Sequence, residues 1–163
     1  MIRSFAIFCL LCAAVSSFAA DQPEVRIEPS HLQGPRPLEE QTAKAAIRDY
    51  LQAWQSLRGA FEQNRSDLLE SSFVGDARDK LGATILDQQK LGIRTRYHDR
   101  AHDLQIVFYS PEGLSIQLVD QVDYDVQIIN QDKVMAVQRL TARYIAVLSP
   151  SEVRWRVRIL QSE

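Results

Sequence analysis

Apolar residues recur with two different periods along this chain, and the change falls near residue 93. Ahead of it, Ile47, Tyr50, Leu51, Trp54, Leu57 and Phe61 sit at i, i+3, i+4, i+7, i+10 and i+14. That spacing draws one stripe on a helix, with Arg48, Asp49, Gln52 and Gln55 on the other side. The pattern predicts a long helix from about Leu38 to about Gln63, opening just after Pro37, whose fixed φ suits a first turn. Asn64 and Ser66 interrupt the stripe and can cap a shorter helix through Phe73, with Leu68, Leu69 and Phe73 inward. A third helix is expected after Gly75. Asp76 is its candidate cap, Ala77, Leu81 and Ile85 its apolar stripe, and Gly92 its stop.

From Ile93 the period becomes two. Strands are expected at Ile93–His98, His102–Tyr109, Leu114–Ile129, Val134–Leu148 and Val153–Leu160. The last four are joined by hairpin-short connectors at Ser110–Gly113, Asn130–Lys133 and Ser149–Glu152. Helices followed by a meander, with no helix between strands, give an α+β fold: three N-terminal helices packed on an antiparallel sheet of four to five strands.

Parity sorts the side chains. Ile116, Leu118, Asp120, Val122, Tyr124, Val126 and Ile128 share one face, as do Gln138, Leu140, Ala142, Tyr144, Ala146 and Leu148. Val153, Trp155, Val157 and Ile159 oppose Arg154, Arg156 and Arg158. Pro111-Glu112-Gly113 suits a type I turn closed by a left-handed glycine. That register pairs Phe108 with Ile116, Ile106 with Leu118 and Leu104 with Asp120, and brings His102 toward Val122 on the inner face. Arg139, Arg143 and the three arginines of the last strand then share the outer face with Asp123 and Asp125, a surface of solvated cross-strand pairs.

The ends of the chain set the context. Met1–Ala20 has a positive Arg3, an apolar run from Phe5 to Val15, and small residues around Ala19-Ala20, the pattern of a removable signal peptide. The run is short of the roughly 20 residues a membrane span needs. Cys9 and Cys12, the chain's two cysteines, both lie in it, so thiol catalysis and Cys-ligated metal are excluded downstream of it. Residues 21–37 hold four of the six prolines and read as a flexible, extended leader, leaving 38–163 as the domain. A protein exported without disulfides fits a bacterial periplasm or the extracellular space, soluble after signal cleavage. A net charge of −2 and no basic motif exclude a nucleic-acid binder. No glycine-rich phosphate loop or nucleophile elbow appears, and no cofactor is implied. His98 and His102 flank Asp99 at i, i+4, but on a strand connector the two rings splay, so no metal site is expected.

The order of elements resembles the nuclear transport factor 2-like superfamily, an α+β cone. The residues that carry the likeness are Tyr50, Leu51 and Trp54 on a long first helix, and Phe73-Val74-Gly75 after a shorter one. Closing strands with Tyr144 on the penultimate and Trp155 on the last complete it. The resemblance implies a curved sheet wrapped around the long helix, a conical apolar pocket between them, and homodimers formed through the outer sheet face. The superfamily holds isomerases, dehydratases and cyclases beside non-catalytic binding and assembly modules.

Asp120 and His102 are the candidate catalytic pair, with Tyr50, Trp54, Tyr124, Gln138 and Tyr144 as pocket lining. A carboxylate among apolar neighbours is desolvated, its pKa rises, and it suits a general base, while an imidazole or phenol can stabilise an enolate-like oxyanion. No complete catalytic constellation appears. The sequence therefore favours an exported, non-catalytic binding or assembly module for a small apolar ligand, with a pocket isomerase, dehydratase or cyclase using Asp120 and His102 as the alternative.

Overall fold

The computed structural model describes residues 22–30, 32 and 34–163. Glu24–Ile27 is a short strand, β1, followed by helix α1 at Glu40–Gln63, one 3-10 turn at Ser66–Leu69 and helix α2 at Gly75–Lys90. Four strands follow: β2 at Ile93–Tyr109, β3 at Ile116–Asn130, β4 at Lys133–Pro150 and β5 at Trp155–Ser162. They form one sheet in the order β1-β2-β3-β4-β5. Pairing is antiparallel except between β1 and β2, which run parallel.

The α+β class holds, with two α-helices in place of three. Asn64 ends α1 in the left-handed region at φ 53, its N–H donating to the Ala60 carbonyl. The segment that follows has a better use for its backbone than a helix. Val74 N–H donates to Val157 O at 2.9 Å, and Val157 N–H donates to Ser72 O at 2.9 Å. Phe73 is thereby drawn alongside β5 as an isolated parallel bridge, and only the single 3-10 turn remains helical.

Three bulges reset the parity read from the sequence. One at Arg100 carries β2 through as a single strand where two were expected. A second at Val107 puts Phe108 opposite Gln117 and Tyr109 opposite Ile116, so Phe108 faces solvent instead of Ile116. The expected pairs Ile106–Leu118, Leu104–Asp120 and His102–Val122 are present. A third at Arg158 leaves Val157 inward against Leu148 but turns Ile159 to the outer face opposite Val147, with Leu160 inward in its place. Gly113, at φ +76, closes the turn after β2 as expected, its N–H donating to Ser110 O at 2.9 Å.

The apolar stripe of α1 meets the inner face of the sheet. Ala46, Tyr50, Ala53, Leu57 and Phe61 are buried with Leu104, Ile106, Leu118, Val122 and Ala146. Each large side chain removed from water there contributes roughly 1.5–3 kcal/mol. Tyr144 and Trp155 pack against the same core. Asp49, placed on the polar side of α1 by the pattern, is instead buried. Its Oδ2 accepts the backbone N–H of Trp155 at 2.8 Å and its Oδ1 accepts from Arg48, tying α1 to the start of β5.

Part of the stretch expected to be a leader joins the sheet. Residues 24–27 pair with Ala101–Leu104, and Glu28 N–H donates to Leu104 O at 2.8 Å. Arg36 sits over the Tyr109 ring at 5.5 Å. The signal segment, with Cys9 and Cys12, lies outside the described residues. Among the described residues no helix is long and apolar enough to cross a membrane.

Candidate functional site

The inner faces of β2 and β3 bring His102 and Asp120 together, and α1 closes over them. His102 Nδ1 lies 2.7 Å from Asp120 Oδ2, which also accepts the Tyr50 hydroxyl at 2.9 Å. On its other side the imidazole faces Asp99, with Nε2 at 3.7 Å from Oδ2. Arg58 of α1 reaches the same Asp99 oxygen at 3.2 Å. A chain of Arg58, Asp99, His102, Asp120 and Tyr50 thus crosses the interior, and each of the last four is buried.

Asp99 and Arg58 were not legible from the sequence. Asp99 stands three residues from His102, so strict alternation sends it to the opposite face. The bulge at Arg100 absorbs one residue and returns it to the inner face. Arg58 falls off the apolar stripe and carries no motif; only its position one turn beyond Trp54 could have suggested it.

Burial alone lowers the pKa of an imidazole, yet His102 is pushed up to about 9, because hydrogen bonds and charge from Asp120 and Asp99 outweigh desolvation. It is therefore a cation at neutral pH. Burial raises Asp120, and the bonds from His102 and Tyr50 act against that rise. Burial, with the Asp120 charge beside it, holds the Tyr50 phenol well above its ordinary range, so it donates to Asp120 and does not ionise.

Aromatic side chains fill the space between α1 and the sheet. Trp54 packs edge-on against His102 with centroids at 5.6 Å and against Tyr144 at 5.1 Å. Tyr124 and Tyr144 share a hydrogen bond at 3.3 Å, and Tyr97 bridges Tyr124 to Phe61. The apolar cone implied by the resemblance is thus occupied by the protein's own side chains. Of the expected lining, Tyr50, Trp54, Tyr124 and Tyr144 gather around the buried pair. Gln138 does not: it is exposed on β4, beyond the stretch that the helices cover.

A cleft of about 590 Å³ remains where β1 passes over α1 and β2. Pro23, Val25, Leu51 and Trp54 give it apolar walls, and Arg58, His98, Asp99 and His102 give it polar ones. The lining is mixed where an apolar one was expected. Asp120 is not part of it; His102 stands between Asp120 and the opening. Trp54 Nε1, Asp99 Oδ1 and Asp120 Oδ1 are buried without a hydrogen-bond partner. His98 is exposed while His102 is buried, so the two rings do not converge. Among the described residues no group of three or more His, Cys, Asp or Glu is arranged to hold a metal ion.

No family model matches the chain, and no curated protein matches it. Solved structures do. The intermembrane space region of the chloroplast protein ARC6 superimposes with a TM-score of 0.64 at 12% identity, over 78% of this chain and 98% of that one. A candidate scytalone dehydratase from Novosphingobium aromaticivorans gives 0.55 at 15%, over 77% and 89%. A candidate dehydratase of the NTF2-like family from Streptomyces avermitilis gives 0.51 at 8%, over 73% and 95%. The chain has the nuclear transport factor 2-like fold. At these identities the likeness carries the fold alone, and the NTF2-like scaffold is shared by proteins of unlike function.

Proposed function

We propose that this protein is an exported, non-catalytic binding or assembly module, and that its ligand site is the cleft beneath β1. The observation that carries the reading is a buried carboxylate oxygen without a partner on a residue that lines it, Asp99 Oδ1. A buried donor or acceptor without a partner costs about 1–3 kcal/mol, which a ligand supplying the missing bond recovers. The matching ligand is a small molecule with an apolar body against Val25 and Leu51 and a donor for the carboxylate. It is uncharged, because Arg58 already opposes Asp99 and His102 opposes Asp120.

The signal-like first twenty residues support action outside the cytoplasm. Native mass spectrometry of the full chain purified from its own host tests both parts. The expected result is a chain cut near Asp21, carrying a bound small molecule that Leu51→Arg abolishes. An uncut cytoplasmic chain overturns the export reading. A ligand retained by Leu51→Arg overturns the cleft.

One observation favours a second reading, a pocket isomerase, dehydratase or cyclase: the 2.7 Å bond between His102 and Asp120. Because His102 lies between Asp120 and the cleft and is a cation at neutral pH, it would meet the substrate as a proton donor, with Asp120 orienting it through the Nδ1 contact and balancing its charge. Such a donor suits protonation of an enolate-like oxygen or of a hydroxyl leaving as water. Activity on substrates of that kind that survives Asp120→Asn unchanged ends this reading.

A further inference from the structure

β4 spans 18 residues, but β5 pairs only with Tyr144–Pro150 at its far end. Against β3 it is paired from Lys133 onward. Among the described residues, 133–142 therefore present a sheet edge with no strand beside it, about 34 Å long at roughly 3.4 Å per residue. Every residue from Lys133 to Arg139 is exposed. Among them Val134 is 44%, Met135 59% and Val137 63% exposed. Val134 and Val137 lie on the outer face, opposite Ile129 and Gln127, with Met135 the extra residue of a bulge between them. Unpaired backbone groups beside exposed apolar side chains are what a sheet uses to recruit another strand.

The opposite edge of the sheet is blunted by comparison. β1 is four residues long, stands between Pro23 and Pro29, and carries Glu24 and Arg26 in a mutual ion pair. Proline and paired charge both discourage strand addition. β4 has neither between Val134 and Gln138.

We propose that this edge pairs antiparallel with the same edge of a second copy, joining two sheets across a two-fold axis at Val137. The match of exposed apolar side chains selects the register. Two-fold pairing that keeps each face continuous must bring together residues of equal parity. Centred on Arg139, it sets that arginine against itself and Val137 against Thr141. Centred on Gln138, it sets each Val137 against Arg139 and keeps the two valines apart. Centred on Val137, it sets valine against valine, Ala136 against Gln138 and Met135 against Arg139, and no two cations meet. Arg139 is already neutralised by Asp125 at 2.9 Å, so its aliphatic stem is free to cover Met135. The paired stretch is small beside the roughly 800 Å² per partner of a standard interface, so the dimer dissociates on dilution. It is distinct from a dimer through the outer sheet face, whose arginines and acids pair among themselves.

The test is disulfide trapping in the full chain with Cys9 and Cys12 replaced by serine. Val137→Cys is expected to form a symmetric disulfide dimer at on the order of 100 µM protein. Gln121→Cys, at the middle of the outer face, is expected to stay reduced. Trapping through Gln121→Cys but not Val137→Cys overturns the edge pairing in favour of the outer face. A monomer by light scattering at that concentration, with neither variant trapped, overturns self-association, and pairing with a strand of another protein would then explain the edge. As a check without cysteine, Val137→Lys is expected to weaken the dimer at least about tenfold, and mixing it with Val137→Glu to restore it. Val137 is mostly exposed, so these changes leave the fold intact; a dimer unmoved by Val137→Lys also overturns the proposal.

Discussion

His102 and Asp120 meet at 2.7 Å in the middle of the protein, with side-chain exposures of 1% and 0%. An imidazole and a carboxylate removed from water at this depth are costly apart and tolerable together, since each supplies the charge and hydrogen bond that the other has lost. The interior is therefore organised around a polar pair, with the aromatic side chains of Tyr50, Trp54 and Tyr144 arranged about it.

The pair makes stability depend on pH in a particular direction. An unfolded histidine releases its proton near pH 6.5, whereas folded His102 keeps it until about 9. Between those values the folded state holds more protons, so stability falls as pH rises. Burial raises Asp120 as well, which has the same sign at lower pH. Urea unfolding at pH 6, 7.5 and 9 is expected to lose up to about 3 kcal/mol across the series. A flat profile in His102→Asn would assign the loss to this ring.

Removing either partner alone leaves the other buried and unmatched. Asp120→Asn is expected to cost roughly 3 kcal/mol, and His102→Asn a similar amount. The double variant is expected to cost clearly less than the two together, a coupling of at least about 1 kcal/mol. Chemical denaturation of all four proteins measures it. Additive losses would show that the two side chains act independently.

Asp49 is the clearest case of a charged residue placed for architecture. It takes the Trp155 backbone N–H at 2.8 Å, at the point where β5 begins. Asp49→Ala strands that donor and is expected to destabilise the protein by about 1–3 kcal/mol. Amide exchange at Trp155 should accelerate more than at Val122, in the centre of the sheet.

β1 should be the least protected strand. All four of its residues are exposed, and among the described strands only β2 pairs with it. Hydrogen exchange is expected to be faster over residues 24–27 than over 116–126 by several orders of magnitude, reporting local release. Because Val25 walls the cleft, a cleft ligand should slow exchange at β1 more than anywhere else.

Much of this was written in the order of apolar residues. The 3.6-residue stripe from Ile47 to Phe61 and the alternation after Ile93 determined a long helix before a meander, and with them the inner face on which Leu104, Leu118 and Val122 meet. Parity even placed His102 and Asp120 on that face, because each lies in an unbroken run of alternation with its apolar neighbours. What only the tertiary structure decided follows from its interruptions. One extra residue at Arg100, Val107 or Arg158 exchanges the two faces of a strand at almost no local cost, and nothing in a single side chain signals where that happens. So Asp99 joined the buried chain, Phe108 and Ile159 left the core, and Asp49 turned from a polar helix face to a backbone N–H over a hundred positions away. Periodicity is a property of neighbours along the chain; hydrogen bonds of buried polar groups are settled by whatever the fold brings within 3 Å.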